Sequence, residues 1–530
     1  MSTTDSSGYL ADDPSLGLST NLGSLGSLRA LGFFHGISDN ALVCALSLAT
    51  INYNLAVTSY VIYYLVLNEN FNPVECAVVA STLLMGLLTG QIIFGVLGDV
   101  LGRKACFRAC IFLMLKGAII SLFAGLLFHG LVTELTIMRT IMMIGAGGLY
   151  PLVATITKES SQQSLVRTTA AMVFGPLGSL GLVLAPLVVI VVSLFSFSVG
   201  LTWRIILGTG IIPMIWLCTH NVSETQNEAL ARIKAQRDDS GAAMYTHLCE
   251  ALFAGFKKEV RAIWKPPLRS LMLGITLSWF FSDILFYGNF LMQALIIKSI
   301  LDEDENEDLA MSTIAGVGLI SSVLFWFGAT ISVNTLKHAS ALGLQLQGFV
   351  VVGIVLLLFV IVTSLLPWST ISVILFLALY ISVYFFIGYG PAPSTFIIPS
   401  IVFPKQLRNT ANGVSAGVGK LGAIIFIFMA LQYDIDVTGL MTFQCGVCFL
   451  GAASTIVTVK AYNTCIAISR QRAMHGASPV GALDASDNDY SNRGIRRNTM
   501  RDTNTEESSM DEAYYSHFRD QLESDPLLGR

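Results

Sequence analysis

Ser270–Ile300 reads SLMLGITLSWFFSDILFYGNFLMQALIIKSI. About 20 apolar residues suffice to cross a bilayer as a helix, and this stretch exceeds that. It holds a carboxylate in its middle, Asp283. An acid at that depth costs about 2.5–3.5 kcal/mol on insertion scales, so it marks a functional position. Trp279 lies four residues before Asp283 and Tyr287 four after. That spacing stacks an indole, a carboxyl and a phenol on one helix face, like the wall of a polar cavity.

The rest of the chain has the same character. It is 53% hydrophobic and 12% charged, with a mean hydropathy of +0.67. Soluble domains carry about 25% charged residues. Backbone groups in lipid must be satisfied within their own segment, so a chain of this composition is helical. Apolar runs predict spans near 39–66, 75–101, 106–129, 131–158, 168–197 and 202–218, then near 268–300, 310–336, 341–366, 369–397, 405–433 and 437–462. The expected fold is therefore an all-α membrane protein with twelve transmembrane helices in two six-helix halves, 39–218 and 267–462. A polar central loop (219–266), an N-terminal tail (1–38) and a Ser-, Asn- and Asp-rich tail (463–530) complete it. Both tails have the composition of disordered segments. The first 38 residues lack the basic-then-apolar order of a cleavable signal.

Charge is sorted by side. Arg103, Lys104, Arg108, Lys158, Arg167, Lys337, Lys405 and Arg408 fall in one set of loops, together with the basic central loop. Glu69, Glu75, Glu134, the run Asp302–Asp308, Asp434 and Asp436 fall in the other. The positive-inside rule places the basic loops and both termini in the cytoplasm. Asn221-Val-Ser223 is a glycosylation sequon on that cytoplasmic side, where it goes unused. Glu523-Ser-Asp-Pro-Leu527-Leu528 fits an acidic dileucine sorting pattern, which makes an endolysosomal or vacuolar membrane an alternative to the plasma membrane. Arg496-Arg497-Asn-Thr499 is a candidate phosphorylation site. Cys445-Gly-Val-Cys448 has redox spacing but sits in an apolar span, where it reads as helix packing. No nucleophile–base set or metal-ligand cluster is legible, so an enzyme, a cofactor, a metal and a nucleic-acid partner are not expected.

After the second span the chain reads Gly95-Val-Leu-Gly98-Asp99-Val-Leu-Gly102-Arg103-Lys104. This resembles the loop motif G-x-x-x-D-x-x-G-R-[RK] of the major facilitator superfamily, whose plan is six spans, a long cytoplasmic loop and six more. The resemblance implies that Asp99, Arg103 and Lys104 form a cytoplasmic gate, with Asp99 meeting a basic residue or a helix end when that side is shut. In the second half, Val333-Asn-Thr-Leu-Lys337-His338 lacks the acid, so a weaker pairing is expected there. Glu159 reads as a gate or helix-end charge.

Further segments resemble the phosphate:proton symporter family within that superfamily. Arg139 followed by Gly145-Ala-Gly147-Gly148-Leu149-Tyr150-Pro151-Leu-Val-Ala-Thr155 is similar to its GGDYPLSAT signature. Trp203-Arg204-Ile-Ile-Leu-Gly208 with Pro213, the Trp279/Asp283/Tyr287 triad, and Gly390-Pro391 through Pro399 have counterparts too. So does the run from Phe403-Pro404 through Arg408, Asn412-Gly413, Ser415-Ala416 and Gly419-Lys420 to Ala423. The resemblance covers all twelve spans. It implies Tyr150, Trp279, Asp283, Tyr287 and Lys420 as substrate-binding residues, Lys420 supplying positive charge to an anion.

The departures carry information of their own. Leu149 stands where the signature has its aspartate, Asn54 replaces the acid of Tyr-Asp-Leu in span one, and Ile51 replaces a second acid nearby. Leu177 and Ala392 stand where the family has Gln and Asn. The family's acids at these places are associated with proton transfer, which leaves Asp283 as the midplane candidate for proton coupling. Tyr53 and Asn54 are candidate hydroxyl and amide donors from the first half. The expected function is secondary-active transport of inorganic phosphate or a related small anion by alternating access, with protons as candidate co-substrate. An organic phosphate, a carboxylate or a sugar as cargo, or a nutrient sensor that does not transport, are the alternatives.

Overall fold

Helix boundaries in this protein are set by caps and breakers. Asn72 accepts from the Glu75 amide while the Glu75 carboxylate accepts from the Asn72 amide, and Pro73 follows at the first helical position. This reciprocal cap starts the second span cleanly. Ser340 and Ser369 cap two spans of the second half in the same way, each accepting from the amide three residues on. The computed structural model describes residues 38–474, apart from 70, 127–129, 162–164, 196, 221, 302–310, 368, 404–407, 434 and most of 223–267. The tails, most of the central loop, the acidic run after span seven, the sequon asparagine, the dileucine and the Thr499 site lie outside the described residues.

In chain order the helices are α1 (Asp39–Glu69), α2 (Pro73–Val100), α3 (Arg103–Ser121), α4 (Leu131–Glu159), α5 (Val166–Met172), α6 (Leu180–Ser193), α7 (Val199–Gly208) and α8 (Ile211–Thr219). The second half has α9 (Leu268–Leu291), α10 (Gln293–Leu301), α11 (Met311–Thr335), α12 (Ala341–Leu365), α13 (Thr370–Tyr389), α14 (Pro391–Val402), α15 (Arg408–Gln432) and α16 (Val437–Met474). Eleven candidate spans among the described residues are long and apolar enough to cross a membrane. The remaining path is α3, which carries Arg103, Lys104, Arg108 and Lys116 yet turns Phe112, Ile119 and Ile120 outward as lipid-facing side chains do. The protein is a multi-pass membrane protein of helices in two halves.

Several expected spans are broken where the sequence reads as continuous. A π-helical turn, Val173–Leu177, joins α5 to α6; Pro176 removes a backbone donor there and Gly175 leaves the helical region at ψ −105°. Gly390 (φ −114°, ψ −83°) and Pro391 separate α13 from α14. The seventh span breaks at Met292, between α9 and α10. The last helix continues past 462 to Met474, because no glycine or proline interrupts it before Gly476.

The halves meet along two seams, α2 against α15 and α6 against α11. The first is a glycine contact: a side chain at Gly413 would strike the Gln91 carbonyl and the Gly95 Cα. Within the first half, a side chain at Gly90 would run into the Ile144 carbonyl of α4. In lipid, small residues allow this backbone approach, and dispersion and hydrogen bonds then hold the helices.

Candidate substrate site and gates

α9 and α15 bring Asp283 and Lys420 together at the centre. The Lys420 Nζ lies 2.7 Å from Asp283 Oδ2, with side-chain exposures of 0% and 5%. Gly419 makes the approach possible, since a side chain there would occupy the position of the Asp283 carboxylate. Three rings surround the ammonium, with centroids at 4.5 Å (Tyr287), 5.3 Å (Trp279) and 5.5 Å (Tyr150) from Nζ. Cations over ring faces gain most where water is excluded. All five residues expected to bind substrate therefore stand around one point.

The hydroxyls continue the site into the first half. Tyr287 Oη donates to Tyr150 Oη at 3.3 Å, and Tyr150 Oη donates to Asn52 Oδ1 at 3.5 Å. Asn52 Nδ2 donates to the Gly178 carbonyl, beside the π-helical turn. The sequence reading passed over Asn52 because nothing in a run of apolar and polar residues sets the rotation of α1. The Trp279 Nε1 is buried with no hydrogen-bond partner. Around Lys420 the cage thus presents an unspent indole N–H and two phenols, donors suited to an oxyanion. An anion reaching Lys420 competes with the Asp283 carboxylate, and a proton on Asp283 removes that competition.

The other first-half candidates lie elsewhere. Tyr53 Oη donates to the Ile206 carbonyl and bonds to Thr209 Oγ1. Asn54 Oδ1 and its carbonyl accept from Arg139 (3.3 and 2.6 Å), which also donates to Thr58 Oγ1. Arg139 is buried, and no carboxylate pairs with it among the described residues. Leu149 shares a helix stripe with Met142 and Gly145, which pack on Gly117, Cys110 and Met114 of α3. It turns away from the cage. Ala392 is buried in the first turn of α14 and brings no polar group.

At the end where the basic residues gather, the halves are tied together. Asp99 Oδ2 accepts from the Thr410 amide and hydroxyl in the first turn of α15, at 3.0 and 2.9 Å. A carboxylate there offsets the positive end of the helix dipole. Arg103 lies 3.4 Å from both Asp99 and Glu159, and Lys104 stands next to it in the first turn of α3. Lys158 Nζ donates to the Ser400 and Ile401 carbonyls at the end of α14. Asn409 donates to the Gly95 carbonyl and accepts from Thr155. The second-half counterpart is slighter: Arg167 donates to the Ala339 carbonyl at 3.4 Å, and Lys337 bonds within its own loop to Asn334.

The opposite end closes more thinly. Tyr60 Oη donates to Gln293 Oε1 at 2.9 Å, and the Ala294 amide donates to Ser59 Oγ at 3.1 Å. Outside them lies a vestibule of about 240 Å³, lined by Val66, Phe71, Met292, Leu295, Lys298 and Leu440 among others. Cys445 Sγ donates to the Gly353 carbonyl and Cys448 is buried, both as free thiols.

Comparison with known proteins follows the geometry. Residues 41–467 match the family model described as sugar (and other) transporter. Inorganic phosphate transporter PT2 of Toxoplasma gondii is 27% identical over 402 residues, covering 74% of this chain but only 66% of that protein, just under two thirds of it. Inorganic phosphate transporter 1-1 of Oryza sativa subsp. japonica is 27% identical over 467 residues, covering 76% and 86%. Low affinity inorganic phosphate transporter 4 of Medicago truncatula is 29% identical over 404 residues, covering 68% and 75%. Among solved structures, the major facilitator proton:xylose symporter XylE bound to 6-bromo-6-deoxy-D-glucose superposes with TM-score 0.60 at 17% identity, over 79% of this chain and 93% of that one. A partially occluded inward-open form of XylE from E. coli gives 0.59 at 15% identity, over 79% and 96%. These structural likenesses speak to the fold. The chain belongs to the sugar (and other) transporter family of the major facilitator superfamily.

Proposed function

We propose that this transporter moves inorganic phosphate or a related small oxyanion by alternating access, binding it at Lys420. The observation that carries the reading is the Lys420 ammonium, fully buried, paired to one carboxylate and surrounded by Trp279, Tyr150 and Tyr287. Relatives at 27–29% identity named inorganic phosphate transporters support the same cargo. Asp99, Arg103 and Lys104 act as the cytoplasmic gate. Proton coupling, where present, runs through Asp283, since Leu149, Asn54 and Ile51 carry no titratable group.

Uptake of radiolabelled phosphate into proteoliposomes, with and without a pH gradient, tests this reading. Saturable uptake, competed by arsenate and unaffected by sugars, is the expected result. Saturable uptake of a sugar with no response to phosphate would overturn it. Binding of phosphate without flux would select a sensor instead.

A further inference from the structure

Gln91 on α2 and Asn412 on α15 are both fully buried, and neither side-chain amide has a hydrogen-bond partner on either atom. Buried amides with nothing to bond are rare in native proteins and call for an explanation. Where these two point follows from their helix neighbours. One turn from Gln91, Gly95 rests on Gly413, and two turns on, Gly98 rests on Asn409 and Leu152 of α4. The Gln91 face therefore looks between α4 and α15. Asn412 lies between Asn409, which reaches α2 and Thr155 of α4, and the Ser415–Gly419 side, which touches Met272, Thr276 and Asp283 of α9. Its face looks into the gap between the first half and α9.

The two amides thus face the seam where α2, α4, α9 and α15 come together. Asn412 is eight residues from Lys420, about 12 Å along α15. Asp99 is eight residues from Gln91 along α2, in the opposite sense. The pair sits between the central cage and the basic-end gate, sealed there by the Gly95–Gly413 contact. When α2 and α15 part, it opens onto the route from Lys420 to the cytoplasm.

We infer that Gln91 and Asn412 form an inner binding step for the transported oxyanion, occupied on its way between Lys420 and the cytoplasm. The inference rests on the anion-transport reading and adds a second site to it. The donor set fits the class: two amide NH₂ groups donate to P–O⁻ oxygens, and two amide carbonyls accept from P–OH. An uncharged site also suits release. It holds the anion by hydrogen bonds alone, so the ion leaves the ammonium without meeting another fixed charge.

The test compares the two faces of one protein. Phosphate KM is measured from the cytoplasmic face in inside-out vesicles and from the outer face in right-side-out vesicles. The proteins are wild type, Gln91→Met, Asn412→Leu and, for repulsion in place of loss, Asn412→Asp. The inner-to-outer KM ratio rises about tenfold in each variant, as expected when hydrogen bonds to a charged ligand are lost on one face. An unchanged ratio in variants that elute as monodisperse protein makes the amides hydrated packing only and overturns the inference, while leaving phosphate transport standing. Absence of phosphate flux in the wild type overturns the parent reading and the inner step with it.

Discussion

Arg139 gives its guanidinium to Asn54: one N–H to the Asn54 carbonyl at 2.6 Å, another to Oδ1 at 3.3 Å. A buried guanidinium with only neutral partners carries its full charge in the first half, and no proton can switch it. Asn54→Asp places a titratable group at the same distance. We predict that this variant acquires a steeper dependence of uptake on external acidity than the wild type. The acid-to-neutral uptake ratio rises by about tenfold if the new pair is worth ~1.4 kcal/mol to one gate state. Uptake measured across an imposed pH gradient decides it; identical profiles in the two proteins would remove Arg139 and Asn54 from any coupling role.

The Asp283–Lys420 pair makes a stability prediction separable from transport. Removing one member of a buried pair strands the other charge and costs about 3–5 kcal/mol, whereas replacing both with apolar side chains is nearly neutral. Asp283→Leu therefore lowers the unfolding midpoint in detergent. Lys420→Met added to it restores most of the loss, yet the double variant stays inactive. Full activity in the double variant would reduce the pair to a helix clamp.

Asp99 touches α15 only when the basic end is shut, through the Thr410 amide and hydroxyl. Asp99→Ala removes both bonds and the helix-end charge. The conformational balance then shifts toward the open basic end by about tenfold, the effect of ~1.4 kcal/mol. A thiol placed at Ala416, in a background lacking the native cysteines, reports this as faster labelling from the cytoplasmic face.

Gly413→Val tests the same closure by crowding. The added side chain meets the Gln91 carbonyl and Gly95 Cα, atoms that belong to backbone and have no rotamer to escape into. The basic end cannot shut fully, so uptake from the outer face falls while cytoplasmic labelling rises. Normal uptake with normal labelling would mean that the two helices part more easily than their contact suggests.

Much of this was legible before the structure, and the reasons differ by residue. Trp279, Asp283 and Tyr287 were readable because a four-residue spacing fixes a shared face whatever surrounds the helix. Lys420 was readable because a charge in a Gly- and Ala-rich span is costly. Their joining was not, since it depends on the packing of α9 against α15. Leu149 carried a misleading signal: its neighbour Tyr150 lies in the cage, while its own stripe faces α3. Spans five, seven and ten read as continuous because apolar composition hides a break at Gly175-Pro176, Met292 or Gly390-Pro391. Asn52, Gln91 and Asn412 went unread because one buried amide looks like any other until its partners, or their absence, are known.

The central claim is that the Lys420 ammonium holds the transported anion. The most direct measurement is initial-rate uptake of radiolabelled phosphate by Lys420→Gln beside the wild type, in matched proteoliposomes of equal protein content. The account predicts loss of saturable uptake by about a hundredfold, the worth of ~2.8 kcal/mol of charge-assisted binding. Saturable uptake by Lys420→Gln at the wild-type rate and KM would contradict it.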